Sequence, residues 1–463
     1  MEAEGKVGEA CRSRNLFRLE TPSVRALWQS MAASGTQAEQ RREAQVRVKL
    51  VTKLPKEWQV PASPLAVPSS LTRWGMSEVV NHLLGGSSHT AFDFLAGGAL
   101  LRGSLGRHIR AHNLSAEDVV ELQYLPAAKP PEEGPSAQHS DWVAALAPLN
   151  NFIFSCSMDG SLSCWSSESA ERTTYTSRAH GVSGATCAST IHHNEDGDMS
   201  TAAVVSGGKD GALRLWNRSL QVLQDLSGVH DSAVQALASR GVVAASSAWD
   251  GDVKLWKVSR SDRRSRKSQK MDEDHAASSD GMPELMEIFH VKSLHSTCVS
   301  GLSMLRQGTL ATASWDHSAK LIDVETQAQT AALHLNKALI SVAAPTAHER
   351  QDDEHQPHTV ALGAADKAVR LWDTRKGGST ATQMRAHTSW VSAVRWCPGS
   401  ETHLASASYD GSVMLWDVRA EVPLHRVRAH NGKAFDVGWC SSSLIASGGA
   451  DSQLKLHTVS LGG

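Results

Sequence analysis

From about residue 139 to about residue 457 the hydrophobic positions fall in short period-two runs rather than in helical stripes. Leu213 and Leu215 alternate with Ala212 and Arg214 just after the pair Asp210-Gly211. Alternation after an Asp-Gly turn predicts the second arm of a β-hairpin. Ahead of such turns lie small and apolar runs, Val243–Ser246 and Leu404–Ala407, and further ahead a third run such as Trp390–Trp396. The phrase returns seven times, at Asp159, Asp210, Asp250, Asp316, Asp366, Asp410 and Asp451. Six residues after each Asp stands Trp, or Ile322 or His457 in two worn copies. His139, His180, His230, His295, His387 and His430 precede six of the copies, and the fifth lacks a clear one. Three strands plus one more before the next His make four-stranded units of about 40–45 residues.

These residues resemble the WD-repeat β-propeller family, which implies seven blades. Trp249-Asp250 and Trp315-Asp316 mislead, because they lie at the hairpin turn, whereas Trp372-Asp373 and Trp416-Asp417 close a strand. The turn Asp is the firmer ruler. Repeated once per blade, the His/Asp couples look like the family's structural network with a strand Ser/Thr and Trp, not like a catalytic pair, which would need one differentiated copy. The last repeat has one strand after Asp451, so residues between Ala127 and Gln138 are expected to supply the missing outer strand of blade seven. In a propeller the His and Asp turns share one face. The long insertions His192–Ser200, Pro345–His358 and Ser259–Met282 therefore emerge together on the other. His192 to Asp198 is expected to be a polar loop rather than a metal cluster.

Upstream of residue 127 the pattern changes. Residues 1–45 show no sustained period and read as a disordered tail. Val46, Val48 and Leu50 define a strand, a second is expected around Trp58-Gln59-Val60, and Met76–Leu84 reads as a helix stopped by Gly85-Gly86. A hairpin at Phe92–Leu101, a helical turn near Ser104–Arg110 and a closing strand Val119–Tyr124 complete a β-grasp order over 46–126. The wording Gly75 to Leu84, Phe92–Leu95, Leu100-Leu101-Arg102 and Ser104-Leu105 resembles the Notchless-type (NLE) ubiquitin-like domain. With Asp141-Trp142-Val143 opening the first blade, the chain is similar to the WD-repeat ribosome-biogenesis factors. In that family the factor joins pescadillo and a second WD-repeat assembly factor in the PeBoW complex. The resemblance implies a non-catalytic assembly factor of pre-60S particles in the nucleolus and nucleoplasm, without a cofactor. It also implies docking of the ubiquitin-like domain on midasin, a giant AAA ATPase, where Glu117 would complete the coordination of a metal held by the partner. A carboxylate suits the open position of an octahedral Mg²⁺ site; Asp118 is the rival.

Composition narrows the rest. A net charge of −2 with 20% charged residues suits no general nucleic-acid binder, and seven scattered cysteines without a CxxC pair favour a reducing compartment. No run of 18 apolar residues exists to span a membrane. The basic run at 257–270, inside the insertion 259–282 and its entry, makes Arg263, Arg264, Arg266 and Lys267 a candidate nuclear-import signal. No phosphate loop, nucleophile elbow or metal-spaced cluster points to an enzyme. Two other readings remain open: Notchless itself, which has eight blades, and a cullin ubiquitin-ligase substrate receptor, suggested by Trp372-Asp373-Thr374-Arg375 and Trp416-Asp417-Val418-Arg419.

Overall fold

A computed structural model describes residues 44–85, 89–115, 118–176, 179–181, 183–191, 203–260, 283–305, 308–345, 358–375, 381–420 and 422–461. They form two compact units, divided between Ala128 and Lys129. None of their helices is long and apolar enough to cross a membrane.

The first unit is a five-stranded sheet with two helices. Strands β1 (Gln45–Val51), β2 (Leu65–Pro68), β3 (Phe92–Ala96), β4 (Ala99–Leu100) and β5 (Val120–Pro126) lie in the order β2-β1-β5-β3-β4, with β1 and β5 parallel. Val46, Val48 and Leu50 face inward from β1 and meet Met76, Val79 and Val80 of helix α1 (Arg73–Leu84). Gly85 ends that helix at φ +67°, and its N–H donates to the Asn81 carbonyl at 3.1 Å. Gly97 and Gly98, at φ +59° and +81°, turn β3 into β4. Helix α2 (Leu105–Ala111) follows.

The strand expected around Trp58 is not there. Lys56–Trp58 is a single 3-10 turn, and the second strand is Leu65–Pro68, within the stretch that reads as a proline-rich turn. The reason is visible at Tyr124. Its hydroxyl accepts from the Val60 N–H at 2.9 Å and donates to the Trp58 carbonyl at 2.6 Å, so those backbone groups are committed to a side chain. Pro68 is tolerated because β2 is an edge strand.

The second unit contains seven four-stranded antiparallel sheets among the described residues. Their innermost strands contact one another in a closed cycle, from Val143–Leu149 round to Ala434–Ser441 and back. This is a WD-type propeller. Strand β6 (Lys129–Gln138) pairs with Gln453–Ser460 as the outer strand of blade seven, so residues ahead of blade one close the ring. The apolar core lies between blades rather than inside them. Trp216 and Leu220 of blade two pack on Phe154 and Leu162 of blade one, and Leu454 and Leu456 of blade seven pack on Val143 and Ile153 of blade one.

In blade three the strands flanking the basic insertion are longer than the sequence suggests. Val253–Arg260 pairs with Pro283–Val291 through Ser259↔Glu284 and Arg260↔Pro283, so Ser259 and Arg260 belong to the blade.

Candidate functional site

Each blade that has the His places its loop and the Asp turn at the same edge. In blade two a chain of hydrogen bonds joins four residues: the Trp216 indole N–H donates to Ser206 Oγ at 2.8 Å, that hydroxyl pairs with His180 Nε2 at 2.7 Å, and His180 Nδ1 pairs with Asp210 at 3.0 Å. One neutral imidazole satisfies both neighbours if Nδ1 carries the proton, a tautomer assigned from the network. Blade six repeats the chain through Trp416, Ser406, His387 and Asp410. Blade four keeps Thr312, His295 and Asp316 with Ile322 in the Trp position, and blade seven puts His457 there. Burial holds His180, His295 and His430 below the ordinary imidazole range and pushes His139, His230 and His457 down to about 4, so these imidazoles are neutral at pH 7.

Three blades break the chain; in blade one Ser155 links Trp165 to His139, but Asp159 takes the Ser140 hydroxyl and no bond from His139. In blade five Leu335 and Leu362 stand where the other blades carry His and Ser/Thr, and the Trp372 indole N–H is buried without a partner. Asp366 pairs there with Arg370 and, at 3.5 Å, with Arg385. In blade three Ser246 still links Trp256 to His230, but His230 Nδ1 is buried with no partner. Asp250 is exposed and gives His230 no hydrogen bond.

This edge also carries the mouth of the central channel, a cavity of about 450 Å³ lined by the innermost strand of every blade. Aromatic rings border it, with Trp142, Trp249, Trp315 and Trp390 exposed and Tyr409 and Phe435 half-buried. Trp390 stacks near Tyr409 at 6.0 Å between centroids, Tyr409 meets Phe435 edge-on at 5.8 Å, and Phe435 meets Trp142 at 5.5 Å. Across the mouth Trp249 and Trp315 meet at 5.2 Å. Such a cluster on a surface marks a protein-binding site. Deeper in, Asp436 is buried and receives the Leu146 and Val437 N–H groups and Arg395, tying blades six, seven and one together. Sequence reasoning treated the tryptophans as a repeat ruler and missed this ring. The signal was present: of 14 tryptophans only five stand six residues after a turn Asp.

The other sequence candidates fare differently. Glu117, Arg263, Arg264, Arg266, Lys267 and the stretch His192 to Ser200 lie outside the described residues. Asp118 is exposed, its amide donating to Ser115 Oγ at 3.4 Å. Arg375 and Arg419 fold back on Asp373 and Asp417 two residues earlier, at 3.1 and 2.6 Å. Burial pushes the thiols of Cys187, Cys298 and Cys440 up to about 12, which leaves no ready nucleophile among them.

The NLE (NUC135) domain profile matches residues 46–109, and the WD domain, G-beta repeat profile matches 136–166, 171–217 and 378–417. Over its length the chain is 34% identical to the "Ribosome biogenesis protein WDR12 homolog" of Chlamydomonas reinhardtii, covering 90% of this chain and 98% of the relative. The chain belongs to the WDR12 ribosome-biogenesis family. Relatives of the same printed name in Oryza sativa subsp. japonica and Arabidopsis thaliana are 35% and 32% identical, each over 89% of this chain and 95% and 96% of their own length. WDR12 relatives therefore share both units, the NLE domain and the propeller.

Proposed function

We propose that this WDR12-family protein is a non-catalytic scaffold in maturation of the large ribosomal subunit, working in the nucleolus and nucleoplasm. The observation that carries the reading is similarity to ribosome-biogenesis relatives across both units together. In this reading the propeller joins pescadillo and a second WD-repeat assembly factor, and its aromatic mouth offers a protein-binding surface. The ubiquitin-like unit docks on midasin, with Glu117 giving a carboxylate oxygen to a divalent cation held by the partner. The loop bearing Arg263, Arg264, Arg266 and Lys267 carries the import signal.

Affinity purification of the tagged full chain tests the assignment. Pescadillo and pre-60S particles should co-purify, and a cullin adaptor in their place would replace the reading with a ligase receptor. Glu117→Ala should abolish chelator-sensitive binding to midasin and leave the pescadillo complex intact. If Asp118→Ala alone does so, the metal ligand is Asp118. Serine at the four basic positions should reduce nuclear accumulation, and unchanged nucleolar fluorescence would remove the import role.

A further inference from the structure

The last strand of the ubiquitin-like unit runs almost directly into the strand that closes the ring. β5 ends at Pro126 and β6 begins at Lys129. The Ala127 N–H is still held within the first unit, donating to the Ala91 carbonyl at 2.9 Å, while Lys129 is already paired with Ser460. Ala128 alone supplies slack, and one residue spans at most about 3.6 Å. Drawing the first unit further than that must deform β5 or β6.

The two strands are held very differently. β5 lies between β1 and β3, with Leu122 and Tyr124 buried in the core of its unit. Tyr124 is tied further by the Thr52 hydroxyl, which donates to its carbonyl at 2.9 Å, and by its own hydroxyl's bonds to Val60 and Trp58. β6 is an edge strand in which Ala137 alone is buried, so little apolar area holds it. Pro130, Pro131 and Pro135 bring no N–H to its ladder, and its pairing slips register twice.

Register decides how each strand yields. A pull between the residues ahead of β1 and those after Ser460 loads the clasp at Lys129 and Ser460, which are paired, so its bonds break one at a time. The same pull loads β1 and β5, which are parallel, from opposite ends. Their pairs Val48↔Val120 to Val51↔Gln123 then share the load and must give together. At its far end β6 is pinned. Arg172, stacked on the Trp165 and Tyr175 rings at 4.6 and 4.9 Å, donates to the Gln138 carbonyl at 3.1 Å, and the His139 N–H donates to the Ser452 carbonyl at 2.8 Å.

We infer that β6 is a load-sensitive latch: work done on the ubiquitin-like unit unzips β6 from Gln453–Ser460, starting at Lys129 and running toward Gln138, before that unit unfolds. Blade seven is then left with three strands, and Gln453–Ser460 becomes a free sheet edge beside the junction where Leu454 and Leu456 pack on Val143 and Ile153. The latch follows from chain connectivity and does not depend on what grips the first unit.

Optical tweezers with handles at the two ends of the full chain test it. The lowest-force event should release the ten residues of β6, and a later, much longer one should release the ubiquitin-like unit. Glu132 and Thr458 are exposed Cα partners, and antiparallel partners lie about 4.5–5.5 Å apart, within reach of a disulfide. In Glu132→Cys/Thr458→Cys the short event should therefore vanish under oxidising conditions and return when reductant is added to the same molecule. Gly134→Val, whose Cβ would meet the Leu456 carbonyl oxygen at 3.2 Å, should lower the force of the short event and leave that of the long one. A first event as long as the ubiquitin-like unit would overturn the inference. So would a short first event that persists in the oxidised double-cysteine variant.

Discussion

Blades two and five have the same four strands in the same pairing, yet one is wired by polar groups and the other is not. Blade two joins Trp216, Ser206, His180 and Asp210 in an unbroken chain. Blade five replaces both middle members with Leu335 and Leu362, while Asp366 is held by arginines. Both nonetheless pair their second and third strands residue for residue, Ala203↔Asn217 to Gly207↔Leu213 and Thr359↔Asp373 to Gly363↔Val369. Blade shape is therefore set by strand pairing and by apolar packing against the neighbouring blade. The chain of hydrogen bonds is a way of burying polar groups without loss, and its two middle members can be exchanged together for apolar contact. Partial removal carries a cost, because an orphaned buried donor or acceptor, such as the Trp372 indole N–H or His230 Nδ1, keeps its full desolvation penalty.

That view can be broken most directly at the shared position. Trp216→Ala should destabilise the protein by about 3–5 kcal/mol, read by chemical denaturation, since it opens a cavity between blades one and two and removes one of the two partners of Ser206. A loss under about 1 kcal/mol would show that the indole is not part of the packing. Next comes His180→Leu, expected to cost about 1–3 kcal/mol by taking one partner each from Ser206 and Asp210, which keep Trp216 and Arg214. Adding Ser206→Leu, which copies blade five, should cost less than the two single changes summed, by roughly 1 kcal/mol or more. Strict additivity in that double-mutant cycle would contradict the exchange of the chain as a unit.

Acid offers a third handle. His139, His230 and His457 have an unfolded value of 6.5 and a folded value of about 4. Between those values the unfolded chain holds more protons, so stability is full above about 6.5 and falls as pH drops toward 4. Urea midpoints measured across that window should decline, and His230→Asn should flatten the slope. A midpoint independent of pH over the window would mean that these imidazoles are not buried neutral. The smallest expected effect is Trp372→Phe in blade five, within about 1 kcal/mol of wild type, because it deletes an indole N–H that has no partner.

Much of this was legible in the sequence, because turn chemistry repeats. The turn Asp, with Trp, Ile322 or His457 six residues on, located every third strand, and the fifth copy already lacked its histidine. The source of the ring-closing strand followed from the need to complete blade seven. Other features were hidden because one residue type served two masters. Trp58 and Val60 read as a strand by side chain, but their backbone groups go to the Tyr124 hydroxyl, 66 and 64 positions away in the chain. Trp249 and Trp315 read as misplaced repeat residues, and only the ring geometry brings them side by side.

The clasp that completes blade seven has a consequence for biosynthesis. Glu133 and Lys455 meet across it, 322 positions apart in sequence. A ribosome adding about 5–20 residues per second delivers the second half of the clasp long after the first. Every contact within the ubiquitin-like unit is available by then, so that unit can be folded while the ring is still open and its first blade lacks a neighbour on one side. Such an open ring exposes Val143 and Ile153, the residues that Leu454 and Leu456 later cover. The nascent chain therefore keeps that apolar surface uncovered until the strand that carries Leu454 and Leu456 emerges. A substitution that weakens β6 would act on yield before it acts on the stability of the finished molecule.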